Sequence, residues 1–292
     1  MRISNHLKVA NRVLMTTIGL LLCLASHTFG AAAPLFSISL GFDFASGDYG
    51  TTQTTESYSI PLTIGYYPNA FIDLSLEIPY NYQSNSSTVT LSGNSFPVQN
   101  TGGMPGGQGP GGRMNTVTAA AVGETTLETS SSQSGLGDIS LTAGYLLITE
   151  KTLTPMLRPL LYIKVPTADS DQGLGTGAFD FGTGLSAGKR IGNWSLYAEG
   201  IYIFTGSSSL YEPDDYLTFQ GSINYQLTRK LFAGGEISGG TAAFAEGTDA
   251  LAVEMTTNYR ITPRGSFGAY LGRGLTDGSP DYTTGVFGSI SF

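Results

Sequence analysis

The sequence has almost none of the residues on which most enzyme chemistry depends. Cysteine occurs once, at Cys23, and histidine twice, at His6 and His27. All three lie in an N-terminal region that we expect to be removed, so the mature chain would contain neither residue type. Their absence excludes disulfide bonds, thiol nucleophiles, serine–histidine catalysis and histidine-bound zinc. We therefore predict a protein that is not an enzyme and that carries no catalytic residues, cofactor or metal.

Charge is also scarce. Charged residues make up 12% of the chain, against about 25% in a typical soluble domain. The formal net charge of −8 excludes a basic nucleic-acid binder. A mean hydropathy of +0.04 excludes an α-helical membrane protein. The chain is instead rich in glycine and aromatic residues, with 40 glycines, 16 tyrosines and 15 phenylalanines. Together with the low charge, this composition favours an all-β protein in surroundings unlike those of a typical soluble domain.

The first 32 residues have the composition of a secretory signal peptide. Arg2, Lys8 and Arg12 precede the apolar run Val13–Ala25, which is shorter than the roughly 20 residues needed to span a bilayer as a helix. Small residues follow, and we expect cleavage after Ala32. Removal of the three basic residues leaves 11 basic against 22 acidic residues in the mature chain, residues 33–292.

Apolar and polar residues alternate along most of the mature chain. In Ala70–Tyr82 the even positions from Ile72 onward are apolar or aromatic, and most odd positions are polar. A period of two places these sets on opposite faces of a strand. Several segments reach the roughly 9–11 residues that a tilted transmembrane strand needs. We predict twelve strands, at about 35–45, 56–67, 70–83, 135–148, 155–166, 177–189, 194–205, 216–227, 231–240, 250–261, 266–274 and 281–292.

The connections between these strands are alternately long and short, which is typical of bacterial outer-membrane barrels. We therefore predict a closed antiparallel transmembrane β-barrel of about twelve strands, with both termini at the short-turn, periplasmic rim. The longest connection, about residues 84–134, contains the glycine-rich tract Gly102–Gly112. We interpret this connection as an external loop, and the alternative is that it folds back into the pore. Fourteen strands would result if Thr88–Leu91 and Thr116–Val122 formed a hairpin, although we expect them to extend strands three and four.

The eleven charges well inside the strands all lie on the face opposite the apolar row, whereas three at strand ends, Glu56, Lys189 and Arg273, share the apolar parity. Random placement of the interior charges would produce their arrangement about once in two thousand cases, since each residue has two faces available. The alternative is a soluble sandwich with its apolar face inside, because twelve strands exceed what a soluble barrel fills. We assign the polar face to the lumen and expect its bases to pair with acids. The predicted lumen-lining residues are Asp43, Asp73, Glu77, Asp138, Arg158, Lys164, Asp180, Glu199, Glu236, Glu254 and Arg260.

The last residues and the connections indicate partners. The alternating row from Tyr282 to the terminal Phe292 resembles the signal by which outer-membrane barrels are recognised for assembly, so Phe292 is predicted to act through the barrel-assembly machinery. The long connections are mostly acidic and the short turns mostly basic, which favours contact between the external loops and lipopolysaccharide through divalent cations. Membrane lipid is the other expected partner.

Three short motifs resemble a known family. They are Gly135-x-Gly137-Asp138, Lys164-x-Pro166-Thr167, and Gly173-x-Gly175-x-Gly177 ahead of Asp180. Together they are similar to the MetA-pathway phenol-degradation family of outer-membrane transporters. The resemblance covers about residues 34–292, is specific only in these central segments, and carries no binding residues. It implies a β-barrel that takes up small organic, often aromatic, compounds.

These observations predict an outer-membrane channel for passive uptake of small organic solutes. A closed barrel with a structural or surface-interaction role is the alternative, because pore radius depends on side-chain packing that the sequence does not specify. An enzyme built on a membrane barrel is disfavoured by the missing histidine.

Overall fold

The computed structural model describes residues 34–49, 54–84, 88–91, 94–97, 132–208, 212–244 and 247–292. The predicted signal peptide and most of the glycine-rich connection lie outside the described residues, so those predictions stay predictions.

The described chain is built from antiparallel β-strands. One short 3-10 turn covers Ser170–Gln172. No helix in the described ranges is long and apolar enough to cross a membrane. The strands are β1 (Phe36–Gly47), β2 (Thr55–Tyr66), β3 (Ile72–Gln83), β4 (Thr88–Leu91), β5 (Asn94–Pro97), β6 (Gln133–Leu136), β7 (Ile139–Tyr145), β8 (Met156–Val165), β9 (Asp180–Ile191), β10 (Trp194–Phe204), β11 (Tyr216–Gln226), β12 (Leu231–Gly240), β13 (Ala250–Thr262), β14 (Gly265–Gly274) and β15 (Tyr282–Ser291).

Thirteen of these strands form one sheet that closes on itself. Most of these strands pair with the strands before and after them in the chain, and the pairing of β1 with both β2 and β15 closes the sheet. Strands β6 and β7 both pair with β3, so they share one position in the wall. The barrel therefore has twelve wall positions, which confirms the predicted closed antiparallel barrel.

The region around the fourth predicted strand differs in detail from the prediction. The expected strand 135–148 is divided into β6 and β7. Thr88–Leu91 does not extend the third strand, because it pairs with Asn94–Pro97 in a separate two-stranded sheet. Its proposed partner Thr116–Val122 lies outside the described ranges.

Proline removes a donor from the hydrogen-bond ladder and therefore disfavours a strand, yet β2 and β3 each contain one, at a point where the ladder is interrupted. Pro61 and Pro79 face each other across β2 and β3. Beside Pro61, the pairing of β1 with β2 passes from Leu40↔Leu62 to Asp43↔Ser59. Beside Pro79, β6 gives way to β7, and Gly137 donates its backbone N–H to the Pro79 carbonyl at 2.8 Å. Each proline therefore lies where the neighbouring strand requires no backbone N–H donor from it.

The outer surface of the barrel is apolar. Met255, Leu161 and Leu271 have 75%, 63% and 62% of their surface exposed. Aromatic pairs lie at the short-turn rim, among them Phe36 with Tyr66 and Trp194 with Tyr225, with ring centroids 4.8 and 4.7 Å apart. A continuous exposed apolar surface of this kind belongs against lipid, and aromatic girdles mark its interfaces.

Candidate functional site

The barrel encloses a cavity of about 400 Å³. Four of the predicted acidic residues, Glu77, Asp138, Glu199 and Glu254, contribute to its wall. A second part of the wall, here called the apolar shelf, consists of Tyr162, Leu174, Ile201, Ile203 and Tyr216. The cavity thus presents carboxylates and apolar side chains to one space.

The apolar shelf is formed where the alternation of β10 looks irregular in the sequence. Ile201 and Ile203 have the parity of the polar face, and both are buried with Leu160, Tyr162 and Tyr216. Small residues on β9 make room for them: a Cβ added at Gly184 would lie 2.7 Å from the Ile201 side chain. The apparent defect in the pattern is therefore an apolar patch inside the barrel.

One side of the interior, here called the paired wall, consists of Asp73, Asp138, Arg158, Lys164 and Asp180. Arg158 forms an ion pair with Asp73. The Lys164 ammonium lies 2.8 Å from Asp180 Oδ2 and 3.2 Å from Asp138 Oδ2. The side chains of Lys164 and Asp180 are fully buried. Lys164 therefore bridges to Asp180 on the neighbouring strand β9 and to Asp138 just before β7, whereas Arg158 reaches past β7 to Asp73 on β3.

The other side, here called the acidic wall, consists of Asp43, Glu77, Glu236 and Glu254. Among the described residues, none of the four has a lysine or arginine within ion-pair distance. Hydroxyl groups take that place: Tyr270 donates to Asp43 at 2.8 Å, and Thr283 donates to Glu254 at 2.9 Å. Glu236 and Glu254 are direct cross-strand partners, an arrangement that is unfavourable unless the charges are hydrated.

The two remaining predicted residues stand apart from both walls. Glu199 accepts a hydrogen bond from the Tyr197 hydroxyl on the same strand. Arg260 does not join either ion pair, since its guanidinium lies 5.2 Å from the Phe232 ring centroid. Two of the three predicted bases pair with three acids, and no described base pairs with the acidic wall.

The three family-like motifs meet at the outer end of the paired wall. Besides its two carboxylates, Lys164 donates to Thr176 Oγ1 at 2.8 Å. Asp138 Oδ1 accepts the backbone N–H of Ala168 at 3.0 Å. Thr167 Oγ1 donates to the Gly137 carbonyl at 2.8 Å. The motifs therefore join β7, β8 and β9 to the connection 166–179, here called the inner loop.

The glycines of the third motif let the inner loop approach the strands. Gly173 and Gly177 have φ angles of 70° and 72°, in the left-handed region that favours glycine. Gly175 lies directly on Asp138, where a Cβ would be 2.7 Å from either carboxylate oxygen. Sequence reasoning interprets this glycine tract as a turn into a strand, because the Lys-Ser/Thr pair of a phosphate loop does not follow it. It missed that Asp138, Lys164 and Asp180 belong to one cluster, although they are the charged residues of the three motifs.

A smaller charge cluster lies at the short-turn rim. Glu150 accepts the backbone N–H of Arg190 at 2.7 Å and lies 3.3 Å from the Lys189 ammonium. The Arg190 amide, followed by Lys189, holds the pKa of the Glu150 carboxyl below its usual value. This contact explains why Lys189 departs from the rule that charges lie on the inner face.

Phe292 closes the seam of the barrel at the same rim. Its carbonyl accepts the backbone N–H groups of Leu35 and Phe36, each at 3.0 Å. Its ring stacks on Phe36 with the centroids 6.5 Å apart. The role of Phe292 in assembly stays a prediction. In the described part of the chain, no group of three or more acidic, histidine or cysteine residues is arranged to hold a metal ion.

A closed antiparallel barrel with an apolar exterior and a charged interior is an outer-membrane β-barrel, and we place the protein in the bacterial outer membrane. The chain belongs to the family described as "Putative MetA-pathway of phenol degradation", which matches residues 101–292. No curated protein matches the sequence.

Solved structures show the same fold at low sequence identity. The COG4313 outer membrane channel from Pseudomonas putida F1 has a TM-score of 0.60 and 15% identity, over 90% of this chain and 97% of that one. The NanC porin has a TM-score of 0.51 and 9% identity, over 87% of this chain and 98% of that one. The KdgM porin in complex with disordered oligogalacturonate has a TM-score of 0.50 and 10% identity, over 88% and 99% of the two chains.

Proposed function

We propose that the protein is an outer-membrane channel for the passive uptake of small organic solutes. The observation that carries this proposal is the cavity inside the closed barrel, which combines an apolar shelf with the carboxylates of Glu77, Asp138, Glu199 and Glu254. A structural barrel has no need of a cavity of this mixed character. Membership of the phenol-degradation family supports a role with small organic compounds. The fold shared with proteins titled channel or porin supports transport rather than catalysis.

The distribution of charge indicates which solutes would pass. The acidic wall creates a negative potential, because no described base neutralises Asp43, Glu77, Glu236 or Glu254. The shelf offers contact to an apolar body, and the carboxylates accept hydrogen bonds from N–H or O–H groups. The favoured solutes are therefore small organic molecules that are neutral or positively charged and carry a donor group.

The external surface suggests how the channel is held in place. The apolar belt contacts membrane lipid, and the acidic external connections would contact lipopolysaccharide through divalent cations. Assembly by the barrel-assembly machinery would use the terminal strand β15 and Phe292.

A closed structural barrel is the second candidate, and one observation favours it. Leu174 of the inner loop is 1% exposed, and Tyr216 and Ile203 beside the cavity are also buried. These side chains narrow the outer end of the barrel. A closed barrel would have the same wall and would pass no solute.

Solute flux into liposomes separates the two candidates. Purified protein is reconstituted, and entry of benzylamine, benzyl alcohol and benzoate is compared, since these share a ring and differ in charge. We expect entry of the amine and the alcohol to exceed that of benzoate. Absence of flux for all three, in liposomes shown to contain folded barrel, would exclude the channel. Preferential entry of benzoate would contradict the proposed selectivity.

A further inference from the structure

The most completely buried polar cluster of the described chain lies away from the acidic wall. It consists of Lys164, Asp138, Asp180 and Thr176, here called the clasp. The exposed fraction is 0% for the lysine, Asp180 and Thr176. Strands β8 and β9, the link between β6 and β7, and the inner loop supply its members. Asp180 Oδ1 also accepts the backbone N–H of Gly206 at 3.0 Å.

The clasp is not needed to close the barrel wall. Strands β7, β8 and β9 are already joined by continuous backbone pairing, in which Lys164 is the direct partner of Asp180. A buried ion pair contributes little net stability beyond what an apolar replacement would give. What the clasp adds is contact with the inner loop, through the Thr176 hydroxyl and the Ala168 amide.

The inner loop, held in this way, reaches across the outer end of the lumen. Gln83 on β3 donates its side-chain Nε2 to the Gln172 carbonyl at 3.4 Å. Leu174 lies against Gly135 on β6, with 3.0 Å between its Cδ1 and the position of an added Cβ. The loop leaves β8 and therefore crosses the outer part of two neighbouring wall positions. Its Leu174 side chain forms part of the cavity wall.

We propose that the clasp is a size-determining device: it fixes the inner loop inside the barrel so that Leu174 limits which solutes pass. This inference rests on the proposed channel function. Lys164, Asp138 and Asp180 are positioning residues, and Leu174 is the side chain through which the inner loop narrows the lumen. The two outcomes, loop release and a larger size limit, are measured separately.

The test combines thiol labelling with solute-size measurements. In a Cys23→Ser background, Leu174→Cys introduces a thiol that the clasp keeps buried. The variant Asp138→Asn, Lys164→Met, Asp180→Asn makes the whole cluster neutral and so removes the clasp without leaving a buried charge unpaired. Labelling by a hydrophilic maleimide should become about tenfold faster or more in this variant, because the thiol is then accessible without a local opening of the structure. In protein that keeps Leu174, the same triple variant should admit larger sugars in a liposome series from arabinose to raffinose.

The Glu150→Gln, Lys189→Met pair is the matched control, because it removes an ion pair at the short-turn rim, outside the lumen and away from the inner loop. It should leave both labelling and the size limit unchanged. If the triple variant does not form a heat-modifiable barrel, Thr176→Val removes the loop's own contact with the ammonium and should accelerate labelling in the same direction.

Unchanged labelling in the variant that folds would overturn the clasp. Faster labelling with the same sugar limit would overturn the size-determining role. A wild-type barrel that passes no sugar, beside a clasp variant that passes several, would support the clasp while counting against the proposed uptake function.

Discussion

The two walls of the lumen carry the same residue types in opposite arrangements. On the paired wall, Lys164 and Arg158 take up the charge of three aspartates, and the lysine is fully buried. On the acidic wall, four carboxylates have hydroxyl or cross-strand acidic neighbours and no described base. The comparison teaches that full burial and pairing coincide under the inner loop, at Lys164 and Asp180, whereas Glu77 and Glu254 line the cavity without a described base.

The largest expected effect comes from breaking the paired wall on one side only. Lys164→Met would leave Asp138 and Asp180 buried without a cation, which costs about 3–5 kcal/mol of folding free energy. Glu77→Gln on the acidic wall removes an unpaired charge and should leave the folded state as stable or more stable. The urea dependence of the heat-modifiable band measures both variants. Equal stability of the two would show that the walls do not differ as described.

The second-largest effect is expected at the seam between β1 and β15, where the barrel closes. Deletion of Phe292 removes the carbonyl that accepts two backbone N–H groups and the ring that stacks on Phe36. We expect a clear loss of folded protein in the outer membrane, with normal transport by the molecules that do assemble. Phe292→Tyr keeps the ring and the backbone and serves as control. Normal assembly of the deleted chain with loss of transport would contradict the assembly role.

A smaller effect is expected from neutralising the acidic wall itself. Glu77→Gln combined with Glu254→Gln should reduce the preference for cations and leave the barrel assembled. The negative potential along the cavity falls when two of its carboxylates become neutral. Asp214→Asn combined with Asp277→Asn, in the external connections before β11 and after β14, is the matched change of two charges outside the lumen. An equal loss of selectivity in that variant would mean that the selectivity does not arise at the acidic wall.

The smallest expected effect lies at the rim, outside both walls. Because the folded pKa of Glu150 is lowered, its ionised form contributes stability above the unfolded value of about 4.3, and that contribution is lost as the pH falls through the folded pKa. Glu150→Gln should therefore destabilise the barrel slightly at neutral pH and not at all in strong acid. Thermal unfolding at pH 7 and at pH 3 provides the comparison. A difference that persists in acid would assign the effect to packing rather than charge.

The fold could be predicted from the sequence because a period of two is a local property. The predicted strand 231–240 has the same bounds as β12. The strand expected from 177 begins at Asp180, because the alternation continues through Phe179 while Gly177 is already in a left-handed conformation. The periodicity of the sequence indicates on which face of a strand a side chain lies. It does not indicate at which residue the backbone stops being extended.

The site was less predictable, because pairing between strands depends on register. The parity of Lys164 and Asp180 is visible in the sequence, but their direct opposition follows from the stagger of β8 and β9. The folding of the inner loop onto Asp138 depends on Gly175, whose role becomes visible only when the carboxylate is seen against its Cα. The sequence alone could therefore place charges on a face and could not say which would neutralise each other.

The reversal potential of single wild-type channels in a planar bilayer, under a gradient of potassium chloride, tests the central claim most directly. If the acidic wall is unpaired and hydrated inside an open lumen, the reversal potential will have the sign of a cation-selective pore. A reversal potential of the opposite sign would show that the bases govern the lumen and would contradict the division into a paired wall and an acidic wall.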